Sequence, residues 1–255
     1  LDTFDVAQVE VLRGPQGTLF GKNTTGGAVT VRTKRPELGK VGVDGRFEFG
    51  SFNTSRLQLA ANVPIFDNMA LRIVGGAEKS DGYYHNGACY GPVGGLPTSN
   101  FFGQTGCLDG KAAGGKDVIN LRGKLLWQPT PEFTAVLGVQ HDARKASMGA
   151  NAEFLPDAYC ADCAASGYTH PFADPYTTAI NLLNGGVGID QQNDLYTARL
   201  TYKADKFTIN SATGYNTNTD LDAFDADQTP VNDLNFIIPS SNKTFTQNVT
   251  LTTTL

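Results

Sequence analysis

No apolar run of the ~18 residues that a membrane-spanning helix requires occurs anywhere in this sequence, so helical spans are excluded. Charge is also scarce, at 18% of residues against roughly 25% in ordinary globular chains. Basic residues are the minority, 20 against 25 acidic ones, and a net charge of −5 argues against a nucleic-acid partner. Histidine is limited to His85, His141 and His170, none of them in an HExxH setting, and no GxSxG is present, so no catalytic set or cofactor site is indicated. Disorder is excluded in turn, because apolar residues (40%) and aromatics (10%) are spread along the whole length. What is abundant is glycine, 29 of 255 residues, together with threonine and asparagine, a composition that suits many β-strands. There is no initiator Met or signal peptide. Leu1-Asp2-Thr3-Phe4 leads straight into a strand-like run and Val249 to Leu255 stop inside another, so the chain is expected to be an internal piece of a longer protein.

From residue 41 onward the signal is period-two alternation, the mark of strands with two unlike faces. Val43, Phe47 and Phe49 alternate with Asp44, Arg46 and Glu48; Leu57, Leu59 and Val63 alternate with Arg56, Gln58 and Asn62. Further runs centre on Leu71, on Ile119 to Trp127, on Phe133 to Val139, on Tyr196 to Tyr202, on Phe207 to Tyr215 and on Val249 to Leu251, which makes eight. The predicted connections are 50–54, 64–68, 81–116, 128–132, 147–193, 203–206 and 223–243. Every second one is short, and the others, after the first, are long and rich in Gly, Pro, Asn and Asp. Long structureless loops are uncommon in compact soluble domains, whereas outer-membrane barrels have tight turns on one side and long loops on the other. Closing the sheet satisfies backbone groups that lipid cannot. The predicted class is therefore all-β, a transmembrane antiparallel barrel, with Trp127, Phe133, Tyr202 and Phe207 beside the short turns as an aromatic girdle. A soluble sandwich, with the apolar face packed on a second sheet, is the rival.

Residues 1–36 read differently. Two strand-like pieces, Val6–Leu12 and Ala28–Thr33, flank a loop dense in glycine. Gly21-Lys22 hints at a phosphate-binding loop, but Gln16 and Asn23 stand where that pattern needs Gly and Ser/Thr, so it fails twice. The run Val9 to Gly21 (V-E-V-L-R-G-P-Q-G-T-L-F-G) followed by Asn23 to Pro36 (N-T-T-G-G-A-V-T-V-R-T-K-R-P) closely resembles the end of the plug domain in TonB-dependent receptors of bacterial outer membranes. The resemblance implies a plug end at 1–36 and the first part of a 22-stranded barrel at 37–255, about eight strands of it. It also implies uptake of a scarce ligand, most often a ferric siderophore, driven by the inner-membrane TonB complex through an upstream TonB box. Vitamin B12, saccharides and other metal chelates are further ligand classes in the family. The same resemblance implies that Glu10 and Arg13 make polar contacts with the barrel wall, the alternative being that they pair with each other or with water on a strand surface; Gly14, Pro15, Gly17, Gly26 and Gly27 shape turns, and Gly21, Asn23 and Ala28 complete the motif. An interior filled by its own side chains suits eight strands, whereas a stopper in the lumen needs a wider cylinder.

Cys89, Cys107, Cys160 and Cys163 all fall in the two longest predicted loops. Pairing within each loop, Cys89 with Cys107 and Cys160 with Cys163, suits an oxidising compartment. The alternative, a zinc or redox site at Cys160-Ala161-Asp162-Cys163 near His170, rests on one CxxC alone. The acidic stretch Asp220 to Asp227 reads as a solvated loop tip rather than a cation site, lacking the Gly and Glu of an EF-hand loop. Tyr83, Tyr84, Phe101, Phe102, Tyr159 and Tyr168 are candidates for contact with a large ligand, or for packing the loops together. The expected surroundings are outer-membrane lipid, with no nucleic acid, enzymatic chemistry or metal. Rival functions are a passive pore or adhesin barrel, and a soluble carbohydrate-binding protein.

Overall fold

The computed structural model describes residues 4–17, 24–86, 89–90, 106–107, 112–146, 177–178, 188–225 and 235–253. A first hairpin pairs β1 (Val6–Arg13) with β2 (Gly27–Thr33). The main sheet is an antiparallel meander of β3 (Gly42–Gly50), β4 (Thr54–Phe66), β5 (Met69–Asn86), β8 (Ala112–Thr130), β9 (Phe133–Ala146), β11 (Ile189–Lys203), β12 (Phe207–Asp225) and β13 (Asn235–Thr253). Between them lie three two-residue strands. β6 (Cys89–Tyr90) pairs with β7 (Gly106–Cys107), and β10 (Thr177–Thr178) runs parallel to β5. The sheet is open, with β3 at one edge and β13 at the other.

The short connections sit at one end, as the alternation implies. Gln128 N–H donates to Asn68 C=O at 2.8 Å and Lys203 N–H to Glu132 C=O at 2.8 Å, so neighbouring turns form one level rim. Just inside it, Trp127 meets Phe133 edge-on at 6.2 Å and Tyr202 meets Phe207 at 6.3 Å. A second aromatic row holds Tyr196 and Tyr215, 6.4 Å apart, with Phe245 opposite Tyr215. From Phe207 to Tyr215 the chain climbs about 20 Å, at ~3.3 Å per residue and a tilt of about 40°. That approaches the ~25 Å apolar band of an outer-membrane barrel. Charge resumes on the same face past the second row, where His141 meets Asp194 at 2.7 Å and Lys145 meets Asp190 at 3.1 Å.

Leu57, Leu59, Leu121 and Leu200 share this outer face and remain 45%, 50%, 54% and 38% exposed, with Leu71 half-buried beside them. No dry interior gathers them, which rules out the sandwich. The opposite face buries Gln58, Asn62 and Arg72.

Several strands outrun their apolar pattern. β5 continues to Asn86, taking in Tyr83 and Tyr84, and β13 begins at Asn235, inside the predicted 223–243 connection. The acidic stretch is likewise no loop tip as far as it is described: Asp220, Asp222 and Asp225 are ladder residues of β12, opposite Ser240, Ile238 and Asn235. The reason is physical. Beyond the membrane both faces of a strand meet water, so the alternation fades while the backbone ladder continues.

Candidate functional site: a hairpin docked on the polar wall

The β1–β2 hairpin lies against the polar face of the sheet, and its glycines allow the local geometry. Gly14 leaves β1 at φ +82°, and Gly27 enters β2 at φ +136°, where any Cβ would strike the Leu12 carbonyl. Gly17 and Gly26 face open space, Pro15 is exposed and Ala28 pairs with Leu12 in the ladder; Gly21 and Asn23 lie outside the described residues.

The docking contact is made by Asp5, one residue ahead of β1. One carboxylate oxygen accepts from Arg72 Nε at 2.9 Å and from an Arg72 terminal nitrogen at 2.6 Å; the other accepts from Arg122 at 2.5 Å. Asp5 is 4% exposed and Arg72 5%, so this is a buried, charge-assisted clamp between hairpin and wall. Asp44 approaches Arg72 at 3.6 Å from the exposed side. The Asp5 carbonyl also accepts from Lys34 N–H at 3.0 Å, closing the open end of the hairpin.

Two further wall residues hold the exit from the hairpin. Lys124 Nζ donates to the carbonyls of Thr33 (3.2 Å) and Lys34 (2.9 Å) and to the Thr33 hydroxyl. Buried Asn62 accepts from Glu37 N–H at 2.9 Å and donates to the Glu37 and Lys40 carbonyls at 2.9 and 2.6 Å, fixing the linker as it turns into β3. On that linker, the hydrogen bond from Lys40 at 2.8 Å, with the attraction of its charge, holds the Glu37 carboxyl below its ordinary pKa. Towards the long-loop end, Arg56 bridges Glu48 and Glu78 at 3.0 and 2.8 Å, and Lys116 meets Glu78 at 2.6 Å.

Glu10 and Arg13, the motif residues expected at the wall, behave differently from Asp5. Glu10 accepts from Gln8 at 2.8 Å and Thr30 at 3.0 Å and faces Arg32 at 3.9 Å, all within the hairpin. Arg13 is exposed, opposite Gly27 in the ladder. Within this chain the hairpin is therefore tied to the wall by Asp5, Arg72, Arg122, Lys124 and Asn62, which the motif did not single out. The available signal was cations at alternate positions of strands whose other face is apolar: Arg72 in β5, Arg122 and Lys124 in β8. Cys89 and Cys107 are direct partners in the β6–β7 ladder. Cys160, Cys163, Phe101, Phe102, Tyr159 and Tyr168 lie outside the described residues, and of Tyr83 and Tyr84 only the place in β5 is described.

No protein-family model matches the sequence. The catecholate siderophore receptor Fiu of Escherichia coli K12 is 35% identical over 79 residues, 31% of this chain and 10% of that receptor. The pesticin receptor of Yersinia enterocolitica is 54% identical over 33 residues, 13% of this chain and 5% of the receptor. The crystal structure of Fiu in its open form superposes on the whole chain with a TM-score of 0.69 at 19% identity, covering 37% of Fiu. The ferric yersiniabactin uptake receptor FyuA of Yersinia pestis superposes on 98% of the chain with a TM-score of 0.67 at 19% identity, covering 33% of FyuA. The chain thus spans about a third of the length of the receptors whose fold it shares. These relatives are receptors, not enzymes.

Proposed function

We propose that this chain, by motif and fold a TonB-dependent receptor of the bacterial outer membrane, serves the energised uptake of a ferric siderophore. Residues 1–36 are then the end of the plug and 37–255 the first strands of the barrel that surrounds it. The observation that carries the reading is the Asp5 clamp. It seats a separate hairpin on the polar side of a sheet whose other side offers leucine and aromatic rings to lipid. A passive pore has no need of a domain held in its lumen, whereas a receptor gated by the inner-membrane TonB complex does. The siderophore assignment is supported by the relatives, which include receptors named for catecholate siderophores and ferric yersiniabactin.

The test is uptake of radiolabelled iron, presented as catecholate siderophores or as yersiniabactin, by iron-starved cells that carry the complete gene as their sole receptor. Accumulation is expected to stop when TonB is deleted or the proton-motive force is collapsed. Equal accumulation in cells without TonB would establish the passive pore instead.

Cys89 and Cys107 are proposed to form a disulfide that restrains the first long loop. Directly opposed residues of an antiparallel ladder have Cα atoms about 4.5–5.5 Å apart, inside the ~4.4–6.8 Å that a disulfide spans. Thiol labelling of the unreduced, denatured receptor is expected to leave both cysteines unmodified. Cys89→Ser should expose a labelled thiol at Cys107; labelling of Cys107 in the parent protein would refute the pairing.

A further inference from the structure

Between β2 and the polar face of β8, β9 and β11 lies a cavity of about 250 Å³ whose charged lining is of one sign: Arg32, Arg35, Arg122, Lys124 and Arg199. The carboxylates around it do not balance this. Asp5 serves Arg122 and Arg72 together, and Glu10 reaches only Arg32, at 3.9 Å. Lys124 is occupied by neutral oxygens of Thr33 and Lys34. Among the described residues Arg35 and Arg199 have no ion pair. Register places Arg72, itself met by Asp5 and Asp44 outside the cavity, directly opposite Lys124 across β5 and β8.

We infer that this cavity is an oxyanion site, taking a carboxylate or a phosphate between Arg199 of the wall and Arg35, two residues past the end of β2, with Arg122 and Lys124 supplying the surrounding field. The wall already displays that chemistry once. A short step along β8, the Asp5 carboxylate lies between two guanidinium groups at 2.5–2.9 Å, the charge-assisted, forked geometry that arginine presents to planar or tetrahedral oxyanions. A half-enclosed pocket of one sign focuses its field and concentrates the opposite charge. The site therefore attracts anions whatever the receptor carries. Two sources supply the same group: an acidic side chain of the receptor itself, or a free anion in the lumen.

The experiment uses the complete receptor in detergent, with inorganic phosphate and citrate as probes. Binding is measured by equilibrium dialysis, and thermal unfolding is followed in Arg35→Gln, Arg199→Gln, the double variant and Arg144→Gln, an exposed arginine outside this cavity. A free anion is established by saturable binding that weakens tenfold or more in either cavity variant and not in Arg144→Gln. An internal carboxylate is established when neither probe binds, yet Arg35→Gln and Arg199→Gln each lower the unfolding midpoint and the double variant falls by less than their sum. No binding, together with cavity variants indistinguishable from Arg144→Gln, overturns the site.

Discussion

Replacing Asp5 with Asn is expected to release the β1–β2 hairpin from the wall, at a cost of about 3–5 kcal/mol. The size of the effect comes from what remains behind. Arg72 is only 5% exposed, and without the carboxylate its guanidinium stays buried beside Arg122 and opposite Lys124. Breaking such a pair costs far more than the pair itself contributes, because the surviving charge loses its hydrogen-bonded partner, keeps only the more distant Asp44 at 3.6 Å and regains little water. Hydrogen exchange on the complete protein is the suitable measurement, since it reads local opening element by element. Protection should fall across β1 and β2 while that of β8 to β12 persists. Asp5→Leu combined with Arg72→Met removes the carboxylate and the more deeply buried of its two guanidinium partners, leaving the more exposed Arg122, and is expected to restore part of the protection, giving a coupling energy well outside additivity. Unchanged exchange in the hairpin of Asp5→Asn would show that the clamp does not hold it.

The second large effect concerns sidedness. Leu137 is 47% exposed on the outer face, opposite Leu125 and Ala198 and between the two aromatic rows. Leu137→Arg places a cation near the middle of the apolar band and is expected to cost about 2–4 kcal/mol of folding into vesicles. Asn210, on the other face of β12 opposite Thr201 and Thr250, is bordered by polar groups, and Asn210→Arg should fold nearly as the parent does. Denaturant titration of both variants in lipid vesicles gives the comparison. Equal costs at the two positions would contradict the assignment of lipid to the leucine face.

Much of this architecture is legible without coordinates because a barrel strand carries its environment in its pattern. Lipid on one side and lumen on the other impose alternation on Leu57-Gln58-Leu59 or Tyr202-Thr201-Leu200, and the aromatic residues mark the rim. Legibility ends where the two faces become alike, which is why β12 reaches Asp225 and β13 starts at Asn235 through segments that read as loop. Asp5 was invisible for a different reason. A lone aspartate before a strand has no local signature, and its partners Arg72 and Arg122 lie 67 and 117 residues further along the chain.

The amino-acid sequence alone determines which face of each strand meets lipid, where the tight turns fall and which receptor family the opening motif resembles, since each of these is a local preference repeated along the chain. Only the tertiary structure decides how the opening hairpin is held. It brings one carboxylate and two distant guanidinium groups into a place shielded from solvent, and it gathers five cationic side chains around a neighbouring pocket in which, among the described residues, Arg35 and Arg199 have no ion pair, because the electrostatics of that place belong to a meeting of β1, β2, β5, β8 and β11 that no single segment specifies.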